Sequence, residues 1–151
     1  MLIREAMTPS VRTIAPSTSL SEAACIMAEI DAGALPVVEN DKLIGMLTDR
    51  DIAIRGVACG KTGDAPVREA MTAEVMYCFD DDEADDICEN MADIQVRRLP
   101  VVNRSKRLVG IVSLADLATK ADADCARALE GIVQPGGLHT QSNDAMLAQR
   151  P

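Results

Sequence analysis

Aromatic residues are almost missing from this 151-residue chain: it carries one Phe, one Tyr, no Trp, and a single His. Hydrophobic residues reach 48%, enough for a packed interior, but that interior must be aliphatic. A bound base would be clamped by Val, Ile, Leu and Met side chains and proline rings, since there are almost no aromatic rings to stack it on. The one histidine, His139, stands in a polar tail, so neither a His-based triad nor a His metal cluster can be assembled within one chain. A paired nucleophile and base and a Gly-rich phosphate loop are also missing, which argues against an enzyme and against a catalytic cofactor.

Basic charge is scarce too. Fifteen Lys and Arg against 24 Asp and Glu give a formal charge of −9, the reverse of a nucleic-acid footprint. No run approaches the roughly 18 to 20 apolar residues that span a bilayer. The opening MLIREAMTPS lacks the apolar core of a signal peptide. A cytoplasmic protein with neither nucleic acid nor membrane as partner is expected. Five cysteines (Cys25, Cys59, Cys78, Cys88 and Cys125), odd in number and without a C-x-x-C pair, read as reduced and mostly buried thiols.

What the chain has in quantity is repetition. Leu43-Ile-Gly-Met-Leu-Thr48-Asp-Arg-Asp51-Ile-Ala53 returns as Leu108-Val-Gly-Ile-Val-Ser113-Leu-Ala-Asp116-Leu-Ala118, at an offset of 65. Arg4-Glu-Ala-Met-Thr8 returns as Arg68-Glu-Ala-Met-Thr72, and Leu35-Pro-Val-Val38 as Leu99-Pro-Val-Val102, both at 64. The offset changes inside a polar hairpin turn between Val102 and Leu108, where an insertion is tolerated. The copies occupy residues 1–59 and 67–120, joined by a polar connector at 60–66 and followed by a tail at 121–151.

Each copy reads as strand, helix, strand, strand, helix. In the first, a helical lead-in at Arg4–Thr8 precedes a short strand at Val11–Ile14. Ser19 with Glu22 then opens a helix whose inward face is Leu20, Ala23, Ala24, Met27 and Ile30, ending at Gly33. A strand at Ala34–Val38 pairs with Leu43–Leu47 across the turn at Glu39–Lys42, and a second helix runs from Asp49 to Cys59. The second copy follows with a strand at Val75–Cys78 and a helix at Glu83–Ile94. Asp80 to Glu83, Asp85 and Asp86 favour a helix start, where carboxylates oppose the dipole, over a cation site. One further helix is expected from Asp122 to Ile132, before a polar tail.

The turns after Leu47 and Val112 are the candidate sites. Thr48-x-x-Asp51 and Ser113-x-x-Asp116 are capping boxes, and free amides at such a corner can also receive a phosphate or carboxylate while the acid accepts hydrogen bonds from a ribose diol. A cap alone is the plainer reading of one such element; its repetition favours a ligand.

Gly33-Ala-Leu-Pro-Val-Val38, Gly45-Met-Leu-Thr-Asp-Arg-Asp51 and Gln95-Val-Arg-Arg-Leu-Pro-Val101 together resemble the tandem CBS (cystathionine-β-synthase-type) domains over residues 3 to 120, and most of all their small stand-alone bacterial members such as the hypoxic response proteins. The resemblance implies an α/β (α+β) fold of two β-α-β-β-α repeats about a pseudo-twofold axis, with two clefts that take AMP, ADP, ATP, S-adenosylmethionine or NAD. Carried onto this chain, Asp51 and Asp116 would hold the ribose, and Thr48 and Ser113 would meet phosphate or ribose oxygens. Thr13, Ile14 and Pro16 with Ala34, Leu35 and Pro36 would flank adenine in one cleft, and Tyr77 and Cys78 with Arg98, Leu99 and Pro100 in the other. Arg50 and Arg55 beside the Thr48 turn supply cations for a polyphosphate, making the first cleft the preferred one. The implied function is a non-catalytic adenosine-ligand sensor, a homodimer whose four repeats form a flat disk, acting on a downstream protein that the sequence does not identify. A dimeric scaffold with empty clefts is the alternative.

Overall fold

The structure, a computed structural model, describes residues 1–121 and 125–133. The polar tail with His139 and the expected helix start at Asp122 lie outside the described residues. In chain order the elements are α1 (Ile3–Ala6), β1 (Thr8–Pro9), α2 (Leu20–Ile30), β2 (Ala34–Glu39), β3 (Lys42–Thr48) and α3 (Asp49–Asp51). A π-helical stretch (Ile52–Gly56) and a 3₁₀ turn (Val57–Cys59) continue α3. A 3₁₀ turn at Val67–Glu69 leads the second copy, with β4 (Cys78–Phe79), α4 (Ala84–Ile94), β5 (Arg98–Val102), β6 (Leu108–Ser113) and α5 (Leu114–Lys120); α6 (Ala126–Val133) follows.

Both hairpins form as their patterning requires. Asn40 and Asp41 both take positive φ (52° and 63°), which lets a two-residue turn join β2 to β3 without splaying them. The longer turn between β5 and β6 is tied by Asn103, whose side-chain oxygen accepts from the amides of Ser105 and Arg107. Matching register shifts at Val37/Val38 and Val101/Val102 bend the two hairpins alike.

The lead-in of each copy crosses to the other. β1 pairs antiparallel with β6, Thr8 opposite Ile111, while Thr72 exchanges both backbone hydrogen bonds with Met46 in β3 (2.9 and 3.0 Å). Ile3 and Ala6 are buried with Ile87, Met91 and Leu117 of the second copy; Val67 and Ala70 are buried with Leu20, Met27 and Leu47 of the first. Gly45 and Gly110 permit the crossing. A Cβ on Gly45 would lie 2.7 Å from Met71 Sδ and 3.0 Å from the Thr72 oxygen; on Gly110, 2.6 Å from Met7 Sδ and 2.7 Å from the Thr8 oxygen.

Several expectations are corrected. The strand at Val11–Ile14 is reduced to one parallel bridge, Ile14 to Val37, and its partner at Val75–Cys78 moves to β4. α2 ends at Asp31 in the left-handed conformation (φ 52°), two residues before Gly33, and Gln95 (φ 56°) ends α4 likewise. Ile26 takes the inward place expected for Ala24 and Ile30, both of which are exposed.

The cysteines differ most. Cys88 on α4 is joined to Cys125 by a disulfide (Cα–Cα 6.0 Å), and Cys25 and Cys59 are exposed, leaving Cys78 as the one free buried thiol among the described residues. Thirty-seven residues separate the bonded pair, a spacing that carries no local signature. The acidic run leads into α4 and places Asp85 and Asp86 in its first turn, although Glu83 at the N-cap makes no side-chain cap bond; before it, Asp82 accepts from the Phe79 amide at 2.8 Å, and Asp81 pairs with Arg104 at 2.7 Å. No helix among the described residues is long and apolar enough to cross a membrane.

Candidate functional site

The two hydroxyl-x-x-Asp corners have the same construction. Thr48 Oγ1 accepts from the Asp51 amide (3.1 Å) and Asp51 Oδ2 accepts from the Thr48 amide (3.0 Å). Ser113 and Asp116 repeat this at 3.0 and 2.9 Å, and the Ser113 hydroxyl donates to Asp116 Oδ2 at 2.8 Å. These bonds satisfy amides that a helix start leaves open. Burial pushes the Asp116 carboxyl up, but the Ser113 amide and hydroxyl and the Lys120 ammonium, 3.3 Å from Oδ1, outweigh it and hold the group below its ordinary value.

Each corner opens into a cleft whose opposite wall comes from the other copy. The Ser113 cleft, 530 Å³, is walled by Gly33, Ala34, Leu35 and Pro36 of the first copy, with Thr8 to Arg12 of the crossing lead-in and Arg98 at its edge. The Thr48 cleft, 370 Å³, is walled by Arg97, Arg98, Leu99 and Pro100 with Thr72 and Glu74 to Met76. Ala34 and Arg98, pseudo-twofold counterparts, line both. Ser113 and Asp116 thus face Ala34 to Pro36, and Thr48 faces Arg98 to Pro100, a pairing of corner and wall that the sequence left open.

Asp116 lines its cleft, whereas Asp51 and Arg50 fall outside the lining of either. Arg55 is turned toward the crossing lead-in, donating to the Met71 carbonyl oxygen at 3.2 Å. Ile14 is buried behind the sheet, Thr13 lines a separate 430 Å³ hollow with Asn103 and Arg107, and Pro16 accepts the Arg68 amide. Tyr77 stands edge-on to Phe79 with Lys106 over both rings, and the Cys78 thiol is buried against the Pro100 carbonyl. Thr13, Ile14, Pro16, Tyr77 and Cys78 are therefore outside both clefts. Their places are taken by Thr8 to Arg12 and Thr72 to Met76. The identical Arg-Glu-Ala-Met-Thr pentapeptides, which end on the first residue of each segment, were the sequence signal for them.

The two walls differ in bulk. Gly33 and Ala34 leave the Ser113 cleft open, while Arg97 and Arg98 stand at the matching positions of the Thr48 cleft. Arg12 lies 3.9 Å from Glu29, and Arg98 has no ion-pair partner among the described residues.

A family model described as "CBS domain" matches residues 3–56 and 67–122. A CBS domain-containing protein, YhcV of Bacillus subtilis (strain 168), is 45% identical over 116 residues, covering 77% of this chain and 82% of its own length. Among solved structures, Hypoxic Response Protein I with two coordinated zinc ions superposes with a TM-score of 0.71 at 38% identity, covering 78% of this chain and 97% of that one. CBSX2 in complex with AMP gives a TM-score of 0.71 at 26% identity, covering 80% and 95%.

Proposed function

The chain belongs to the CBS domain family, as a small tandem pair, and from that premise we propose that it is a non-catalytic regulatory module whose Ser113/Asp116 cleft takes an adenosine-containing ligand. One observation carries this reading. An acid, two guanidiniums and an aliphatic wall with a proline line the same 530 Å³ hollow. Asp116 Oδ2 is occupied by the cap, but Oδ1 has only the Lys120 contact and keeps a lone pair for a ribose hydroxyl. Arg12 and Arg98 supply charge for a phosphate, and Val11, Ile30 and Ala34, backed by the buried Leu35 and Pro36, supply the accessible apolar surface for a base in a chain that has almost no rings. The AMP held by CBSX2 supports the same ligand class.

The preference drawn from sequence for the Thr48 turn is reversed in this proposal, because Arg97 and Arg98 narrow that cleft and Arg55 is engaged with backbone. Thr48 would then serve a second, weaker site, with Asp51 holding its corner as the cap partner. The zinc of Hypoxic Response Protein I is not carried over: the described residues contain no group of three His, Cys, Asp or Glu side chains that could share an ion. Self-association is part of the proposal. Ile54 and Val57 are 50% and 71% exposed on the helical side of the first copy, an apolar surface suited to a second copy. A ligand between the copies acts by binding one relative packing better than another, so phosphate charge would set the response.

The test is a thermal-shift and calorimetry panel of AMP, ADP, ATP, S-adenosylmethionine and NAD on wild type, Asp116→Ala and Asp51→Ala. Ligand at about 100 times Kd adds about 2.7 kcal/mol, roughly 5 to 10 °C in Tm for a chain of this size. Asp116→Ala abolishes the shift while Asp51→Ala retains most of it. A folded wild type whose melt no adenosine compound moves would make the protein a scaffold with empty clefts.

A further inference from the structure

Helix α6 is held to the molecule along one side only. Ala128 is buried, Gly131 sits so close to α4 that a Cβ would lie 3.1 Å from the Ala92 oxygen, and the Gln95 side-chain amide donates to the Gly131 carbonyl at 2.9 Å. The Cys88–Cys125 disulfide is the covalent anchor of this contact. On its other side α6 does not close against α5. Between them lies a 620 Å³ hollow, larger than either inter-repeat cleft, with Leu114, Ala118, Ala126 and Leu129 on its walls and Arg97 and Arg98 at one end. Leu129 is 51% exposed into this space. Neither guanidinium has an ion-pair or hydrogen-bond partner among the described residues, the backbones of both being held in the β5–β6 hairpin and its exit, although the chain carries a charge of −9.

We propose that this hollow is a ligand site in its own right for an anion with an apolar body, of the medium-chain carboxylate class, and that the Cys88–Cys125 bond governs whether its α6 wall is in place. The chemistry of the lining sets the ligand class: an aliphatic trough buries a hydrocarbon chain, and the paired guanidiniums take a carboxylate at its end. An eight-residue helix is marginal by itself, so α6 keeps its position through its tethers. Forming the bond removes two protons and two electrons from the Cys88 and Cys125 thiols and passes them to a disulfide acceptor, which becomes two thiols; a dithiol reverses the exchange. In a reducing compartment such a bond is a reversible sensor. Reduction leaves α6 with a few small-residue contacts and one side-chain hydrogen bond, and the trough loses a wall. The site borders the Ser113 cleft, sharing Arg98 and Ser113 with it, but does not depend on the nucleotide reading.

Calorimetric titration of decanoate into the full chain decides the matter, with mass spectrometry before and after thiol alkylation to establish the bond. AMP is titrated in parallel. Oxidised wild type is expected to bind decanoate. Dithiothreitol or Cys88→Ser should weaken binding at least ten-fold, and Ala118→Phe, which fills the trough from an exposed position, should abolish it without altering AMP binding. Arg97→Ala should weaken decanoate several-fold, and decanol should bind less tightly than decanoate. Failure of the oxidised protein to bind decanoate overturns the site, whatever AMP does. Equal binding by oxidised and reduced protein, or free thiols at Cys88 and Cys125 after oxidation, overturns the redox control.

Discussion

The Lys120 ammonium donates to the Ala6 carbonyl oxygen at 3.1 Å, joining residues 114 positions apart and fastening the first copy's lead-in to the second copy's last helix. Arg55, its counterpart, does the same for the Met71 carbonyl. Each clasp is partly solvent-exposed, so we expect Lys120→Met and Arg55→Met to lower stability by about 1 kcal/mol apiece, below the roughly 1.5 to 3 kcal/mol of a sheltered hydrogen bond to a charged group. Urea denaturation of the two single variants and the double variant checks this. The losses should be near additive, because the clasps share no partner.

Replacing Gly110 or Gly45 with alanine should be more damaging. The added methyl meets a methionine sulfur, which can move, and a backbone oxygen fixed by strand pairing, which cannot. Overpacking of this kind costs about 1 to 3 kcal/mol. Gly110→Ala should be the worse of the two, since its backbone obstacle is nearer, at 2.7 Å against 3.0 Å. Equal stability of Gly110→Ala and wild type in denaturant melts would contradict the packing described.

Asp116 makes stability depend on acid. Its carboxyl lies below the ordinary 3.8 in the folded protein, so the unfolded chain takes up its proton first as pH falls. The stabilisation from Ser113 and Lys120 is complete above that ordinary value and disappears as pH drops through the folded value. Wild type and Asp116→Asn should therefore differ in Tm at pH 6, and the difference should shrink as pH falls below 3.8.

Thiol reactivity should separate the cysteines. Burial, with the Asp82 charge adding to it, pushes the Cys78 thiol up to about 12, so it is almost wholly protonated at pH 8 and shielded as well. Exposed Cys25 and Cys59 should be alkylated by iodoacetamide in the folded protein, and Cys78 only after denaturation. Rapid native modification of Cys78 would show that its pocket opens.

The two hairpins, the helices α2 and α4 and the two capped corners were readable in the sequence, because each is written over a few neighbouring residues: Asn40-Asp41 for a tight turn, Thr48 or Ser113 three residues before an acid. Which copy supplies the wall opposite each corner was not. An internal repeat identifies equivalent positions but not whether Thr8 pairs with Met46 or with Ile111, a choice made by the packing of Met7 and Met71 over the two glycines. Arg55 looked like a phosphate partner because sequence shows charge without reach, and the carbonyl of Met71 lies closer. Val11 to Ile14 has strand composition, but of these residues only Ile14 is bridged to a strand, so pairing reaches one residue.

The exchanged arms also leave each copy incomplete by itself: the socket that Ile3 and Ala6 fill belongs to the second copy, and the one that Val67 and Ala70 fill belongs to the first. Residues 1–59 and 60–133, expressed from separate genes, should consequently be unstructured alone and regain the native fold when mixed.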